Sequence, residues 1–570
     1  MSFLMRYSLF NWLEDRNRGY CLLLIGAVLA LYLPFLSNPF FFDDLTFFGA
    51  ASGTYDARTA FLTPRGVPYN TLLWTMHWFG SDLPHAYRLV DAVLHAATAI
   101  ALFALSRNLL RTLLPQCPAD RAQLGMIDFA AAFAALVFAM HPVASYAAGY
   151  VVQRSIVMAT LFSLLCLLFY LYALVSGRKR WLALSVVAYF LAAFAKEHAV
   201  GIPMLITAIT VLMRDQVWQR RRELLPALLM TAIAMAAVAV LLVLRIRGVI
   251  GTAYEPMASH MFEQAGLPVG QSPVHALSMV TQAGLYFKYL WLWLLPVPGW
   301  MSVDMREPFI LSWTHWMAWA GPIGFVLVGV WSARLMLRGG WLAIAGLGLL
   351  YPWLMFLVEF SSIRVQETFV LYRSYLWMPG LMLVLAALMF QLQRRLAGQQ
   401  EHLPGLRVVL LLLALAVLTP ATLNRLQVAA DPWRLWNDAA KMLANDAVPG
   451  ADRILYNRGN AALAAGRPAE AVSDLDRVVQ ISPKLYQVHY ALGLAHYANK
   501  DSAKAEVSFR QGLIIKADNP ALLYAHAVTL RQLGRFEESR AAMSAACAAQ
   551  SQPACFIAAR MQAAKNTVTH

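Results

Sequence analysis

The chain has 570 residues, 59% of them hydrophobic and only 14% charged, with a mean hydropathy of +0.54. A soluble protein of this length has too little interior to hide that much apolar surface, which excludes a soluble enzyme and predicts an integral membrane protein. The net charge of +15 sits largely in short basic clusters between apolar segments, at 177–181 and 214–223, the positive-inside pattern of cytoplasmic loops rather than a nucleic-acid face.

The first apolar segment, 20–36, follows charged residues and lacks a small-residue cleavage site. It reads as an uncleaved signal anchor with a cytoplasmic N-terminus. Further apolar segments lie near 87–106, 128–145, 156–176, 181–195, 198–213, 224–244, 314–333, 342–358, 371–390 and 407–422. Each approaches the roughly 20 residues that cross a bilayer core, so about eleven spans are expected. The segment 284–300 is rich in Trp and Tyr and carries Lys288. It reads as interfacial or re-entrant, because a twelfth span would turn the basic clusters at Arg334/Arg338 and Arg394/Arg395 outward. On this count loops 37–86, 143–154, 246–313 and 359–370, and everything after Thr422, share the outer side.

From about Asp431 the composition becomes that of a soluble helical protein. Gly459, Gly493 and Ala527 recur at one step, and Gly466, Lys500 and Gly534 at the same step. A 34-residue period with small residues at helix crossings is the tetratricopeptide signature, here about three repeats. Tyr490, Tyr497 and Phe536 are expected to fill grooves between those helices. The fold class is therefore all-α: a polytopic membrane bundle over 1–425, then an α-solenoid over 431–570 on the outer side. Such an array either holds a protein partner or caps the membrane domain. The five cysteines show no metal-ligand spacing. Cys547 and Cys555 flank a turn, and form either a bridge in an oxidising compartment or two thiols.

Charged residues beside a membrane are costly to bury, so each asks for a reason. Asp43 and Asp44, in NPFFFDDLTFF, follow the first span. One suits a general base or an orienting group for an acceptor hydroxyl, and the pair is where a magnesium or manganese ion would bind if one is used. A carboxylate capping the next helix is the plainer alternative. His141-Pro142 closes a span, with His141 either orienting or catalytic. Gln153 and Arg154 open the next, and Arg154 offers two parallel donors to a phosphate or pairs with Asp43 or Asp44. Lys196 and Glu197 form a charged island on the outer side, as phosphate ligand and positioning group or simply as an ion pair. Asp304 is placed to touch a polar headgroup or sugar. Arg373 and Tyr375 open a late span, one a natural phosphate ligand and the other a contact or an interfacial anchor. Two carboxylates with several cations on one face fit transfer from a lipid-phosphate donor.

At these residues the chain resembles the GT-C membrane glycosyltransferases. It is most similar to bacterial relatives of the transmembrane-and-tetratricopeptide O-mannosyltransferases, and more distantly to protein O-mannosyltransferases. An FxFDD-type run is matched by Phe41 to Asp44, and the HLxNxLLHA-like element by the run ending at His95 and Ala96. His141, Pro142, Gln153, Arg154 and Ser155 match the HP…QRS element, and Lys196 and Glu197 a Lys-Glu pair. Thr281, Gln282, Tyr289, Pro296 and Asp304 match TQ…Y…LLP…D, and Arg373, Tyr375 and Pro379 an ERxYLP-like element. The chain departs at Tyr146, Ile156 and Leu371, where relatives carry acids, with Glu367 a substitute for the last. The resemblance implies transfer of one sugar from a polyprenyl-phosphate carrier to Ser or Thr of an exported protein, such as a pilin-type subunit. It implies Asp44 as base with Asp43 supporting it, and Arg154, Lys196 and Arg373 holding the leaving phosphate. It places the chain in a bacterial inner membrane with periplasmic repeats. The rival expectations are a glycan or lipid acceptor, and a non-catalytic transporter or assembly scaffold.

Overall fold

A computed structural model describes residues 15–48, 63–80, 83–114, 121–253, 262, 273–314, 317–365, 367–396 and 403–559. Parts of the two expected outer loops, 49–62, 254–261 and 263–272, lie outside the described residues. Those described are helical with no β-strand among them. In chain order the helices are α1 (Asp15–Tyr32), α2 (Asp43–Phe48), α3 (Gly66–Phe79), α4 (Pro84–Leu113), α5 (Arg121–Met140), α6 (Pro142–Ala148), α7 (Arg154–Ser176), α8 (Lys179–Ala195), α9 (Ile202–Leu212), α10 (Arg214–Gln219), α11 (Arg221–Ile246), α12 (Pro273–Leu294), α13 (Met317–Met336), α14 (Gly340–Phe356), α15 (Pro379–Leu396) and α16 (Leu403–Val428). The repeats follow as α17 (Pro432–Ala440), α18 (Ala451–Ala464), α19 (Pro468–Ile481), α20 (Tyr486–Ala498), α21 (Ser502–Ile515), α22 (Pro520–Gln532) and α23 (Phe536–Ala548).

The chain forms two compact units: 1–301 with 309–430, and 302–308 with 431–570. In the first unit, eight helical segments among the described residues are long and apolar enough to cross a membrane. The other three expected spans take different forms. The helix at 179–195 has 17 residues, and 197–212 is a shorter apolar helix. The segment 371–390 divides into a 3-10 turn, Leu371–Leu376, and α15, which begins only at Pro379. A proline following a charged turn starts a helix there instead of continuing one. Most of 284–300 belongs to α12, which is not among those eight.

Burial sorts the long helices by position. In α5 and α7 the apolar window is 83% and 72% buried, against 17% in α11. The inner helices therefore build the core, while the outer ones leave Leu229, Met230 and Ile233 exposed as lipid would require. Close approach is made by small residues. A Cβ at Gly348 of α14 would collide with the Gly380 carbonyl of α15, so these two helices touch backbone to backbone.

In the second unit, α18 to α23 pair in sequence around a run of small cores. Ala462, Ala471, Leu475 and Ala495 form one, and Ala505, Phe509 and Leu522 the next. Gly493 sits where a Cβ would strike the Phe509 ring, which accounts for the small residue at that repeat position. Tyr490 and Tyr497 pack against these cores. Phe536 does not: it starts α23 and is 62% exposed, so the expected groove filling fails at that residue. Cys547 and Cys555 form a disulfide.

Candidate active site

The Asp pair occupies the first turn of α2, and its two members face different surroundings. Asp44 is fully buried. Its two carboxylate oxygens accept from the backbone amides of Val152, at 2.8 Å, and Phe41, at 3.4 Å. Burial pushes the Asp44 carboxyl up to about 7, with the Arg88 guanidinium pulling it back. Asp44 thus ties the loop before α2 to the 3-10 turn Val151–Gln153. Arg88 secures the same loop by donating to the carbonyls of Asn38, Pro39 and Gly149. Asp43 is exposed, and its backbone N–H donates to the Tyr150 hydroxyl at 2.9 Å.

From Tyr150 a line of contacts leads to the Lys-Glu island. The Tyr150 and Tyr372 rings lie 6.0 Å apart edge to face, and the Lys196 ammonium sits 5.8 Å over Tyr372. Lys196 is only 3% exposed. Among the described residues no carboxylate lies within ion-pair distance of it and no acceptor within hydrogen-bond distance. Burial lowers its pKa to about 7, assisted by the Arg65 and Arg373 guanidiniums and opposed by Glu197 and Glu367. Glu197 is held by Arg65 through two bonds of 3.1 and 2.6 Å. Arg373 donates to Glu359 at 3.2 Å and Glu367 at 2.9 Å. Glu359 also accepts from His198 at 2.7 Å. The site is a cradle of cations in which Arg65 and Arg373 are held in place by carboxylates and Lys196 is left with uncompensated charge.

Four expected site residues lie in other surroundings. Arg154 is wholly buried. It donates to Asp91 at 2.6 Å, to the Thr71 and Thr75 hydroxyls and to the Tyr87 carbonyl. With its three nitrogens engaged it is a helix tie, neither a phosphate ligand nor a partner of Asp43 or Asp44. Tyr375 bonds His95 at 2.6 Å, deep in the bundle. His141 caps α6, accepting from Val143 N–H, and its ring stacks on Trp293 at 4.4 Å. Asp304 belongs to the second unit, where Arg306 and Arg453 bind it at 2.9 and 2.8 Å. Burial pushes its carboxyl up, but the two guanidiniums outweigh this and hold it below the usual carboxylate range. Gln153 sits beside Val152 with its side-chain carbonyl buried and unbonded.

Breaking a fully buried charge pair strands the remaining ion, at a cost of about 3–5 kcal/mol. Asp91→Asn and Arg154→Met are therefore each expected to lower the thermal midpoint of the detergent-solubilised protein markedly, and thermal denaturation of both variants tests this. Unchanged midpoints would restore Arg154 as a candidate ligand.

Sequence reading missed Arg65, Tyr150, Tyr372 and Glu359. Only Glu359 had a local signal, an acid closing a long apolar run. Among the described residues no three His, Cys, Asp or Glu side chains stand together as a metal site, and Asp44 turns both oxygens to backbone amides.

A tetratricopeptide-repeat family model matches residues 435–486 and 456–521. These matches fall within the solenoid and do not reach the membrane unit. A comparison of the chain with curated proteins gives no match.

Proposed function

We propose that this protein is a membrane-embedded glycosyltransferase. On this reading it moves one sugar from a polyprenyl-phosphate carrier to a Ser or Thr hydroxyl of an exported protein, such as a pilin-type subunit. The observation that carries the reading is Lys196: a buried ammonium without a carboxylate partner, flanked by two guanidiniums that have theirs. Leaving a cation uncompensated in a low-dielectric setting is costly unless an anion completes it. A lipid phosphate supplies that anion, and the apolar helices around it suit its tail.

The roles of the Asp pair follow from their surroundings. Asp43 is exposed and is the better general base, which reverses the expectation that favoured Asp44. Asp44 fixes the loop that presents Asp43. The acceptor hydroxyl attacks the anomeric carbon opposite the phosphate, its proton passes to Asp43, and the sugar–oxygen bond breaks. The lipid phosphate leaves with that electron pair, its charge met by Lys196 with Arg65 and Arg373 alongside. Inversion at the anomeric carbon follows. No metal or cofactor is assigned to these steps.

We place the chain in a bacterial inner membrane with the repeats on the periplasmic side. The Cys547–Cys555 disulfide supports an oxidising location for them. The repeats are the part of the chain suited to hold a protein partner.

The test is purified protein with a panel of polyprenyl-phosphate monosaccharides, reading released lipid phosphate. Turnover of one donor with a peptide acceptor is the expected result, and no release from any donor would end the proposal. Intact-mass analysis of outer-face proteins from a deletion strain identifies the acceptor. A missing single sugar on a protein supports this reading, whereas altered surface polysaccharide alone would move the acceptor to a glycan.

A further inference from the structure

We infer that Tyr150 is a positioning residue for Asp43: it holds Phe42 in a strained, left-handed backbone conformation and so fixes the direction from which the Asp43 carboxylate meets the acceptor hydroxyl. Among the described residues of the first unit, glycines aside, only Phe42 (φ +55°) and Arg65 (φ +63°) have a left-handed backbone. Both belong to the candidate site. Phe42 directly precedes the Asp pair, and Arg65 carries one guanidinium of the cradle. A bulky residue at positive φ is an outlier, because its Cβ crowds the following carbonyl oxygen. Such strain persists only where the surroundings over-determine the backbone.

Those surroundings can be named for Phe42. It is the second residue of a turn that the Asp44 N–H closes on the Phe41 carbonyl at 3.1 Å. Positive φ at that position of a turn is ordinarily taken by glycine. Three consecutive residues of the turn meet Tyr150. The Phe41 ring stacks on the Tyr150 ring at 4.9 Å, the Phe42 ring meets it edge to face at 6.3 Å, and the Asp43 N–H donates to its hydroxyl at 2.9 Å. The fourth residue, Asp44, accepts from Val152 N–H. Tyr150 is itself only 2% exposed. It immediately precedes the 3-10 turn Val151–Gln153, whose Gln153 N–H donates to its carbonyl at 3.0 Å. Tyr150 is thus a buried post against which the whole turn is braced. The Asp43 side chain is exposed, so its backbone decides where the carboxylate points. Misplacing a reacting group by about 1 Å costs about 10²-fold in rate.

Tyr150 acts through Asp43, so its role rests on the sugar-transfer reading, and the experiment keeps the two apart. Tyr150→Phe retains the ring and deletes the acceptor of the Asp43 N–H. The full chain in lipid nanodiscs is assayed with the polyprenyl-phosphate monosaccharide that the parent turns over and a peptide acceptor. Tyr150→Phe is expected to lower kcat about 10–100-fold and to leave donor KM unchanged. In an Asp43→Asn background the same substitution is expected to cost nothing further, because the group it positions is gone. Hydrogen exchange needs no turnover, and it is expected to be faster across residues 42–45 in Tyr150→Phe than in the parent. Phe42→Gly is expected to melt above Phe42→Ala, since both lose the ring and only glycine is at ease at positive φ. That pair also carries the test if Tyr150→Phe does not fold. Parental kcat in Tyr150→Phe, an equal loss in both backgrounds, unchanged exchange, or Phe42→Gly melting no higher than Phe42→Ala would overturn the inference. A parent without turnover would end the sugar-transfer reading instead, and exchange and melting alone would then decide whether Tyr150 holds the turn.

Discussion

Lys196→Met is expected to slow sugar transfer by about 10²–10³-fold, the usual loss when one donor to a developing oxyanion is removed. The methionine keeps most of the lysine's length and an apolar stem, so packing beside Tyr372 is retained while the cation–π contact is lost, and the fold is expected to persist. Lys196→Arg is the informative companion. The lysine pKa is lowered to about 7, so its positive charge is present below pH 7 and is lost as pH rises through that value. Groups facing it are Arg65, Glu197, Glu367 and Arg373 and the Tyr372 ring. Affinity for the lipid phosphate should therefore fall by about tenfold per pH unit above neutrality in the parent protein, following the neutral fraction of the amine. The arginine variant remains charged and its profile should be flat. Measuring donor KM between pH 6 and 9 separates the two, and identical profiles would mean that Lys196 does not meet the phosphate.

Asp43→Asn is expected to lower kcat by about 10²–10⁴-fold, the range for loss of a general base, with donor KM and thermal midpoint almost unchanged. Asp44→Asn should behave differently. The asparagine side chain retains an acceptor for one of the two backbone amides but turns an NH₂ group toward the other, leaving two donors face to face. The loop before α2 then loses an anchor, and the variant loses stability by about 1–3 kcal/mol as well as activity. Kinetics and unfolding on both variants distinguish the roles. If Asp43→Asn stays fully active while Asp44→Asn fails in chemistry alone, the assignments are reversed. Full activity in the double variant would remove the pair from catalysis altogether.

The two-part architecture was legible because it rests on composition and period. An apolar chain with basic loops, then small residues every 34 positions, leaves few alternatives. The number of spans was less legible, since hydropathy cannot see that Pro379 begins a helix after the Arg373 turn. Within the site, the Asp pair, Lys196, Glu197 and Arg373 declared themselves as charges in an apolar setting. Arg154 declared itself in the same way and was misread: its partner, Asp91, lies inside a long helix and looked like part of an apolar run. Asp304 was misread for a related reason, because its partner Arg453 is far along the chain. Tyr150 and Tyr372 were invisible, since an aromatic residue near a membrane surface has many ordinary explanations. Solitary charges reveal themselves in sequence; whether each is paired is a property of the fold.

The short segment 302–308 is separated in the chain from the helices it joins. Arg306 lies where any side chain at Gly450, a left-handed position with φ +84°, would strike it, and Asp304 is bound to Arg453. A ribosome making this protein delivers the segment well before its docking site exists, so that piece must wait, with Asp304 and Arg306 paired only to each other, while α13 to α16 are made. A truncated expression clone that starts at Asp431 would omit it and remove the Asp304 carboxylate that binds Arg453. Anyone wishing to crystallise the solenoid alone should graft that segment back.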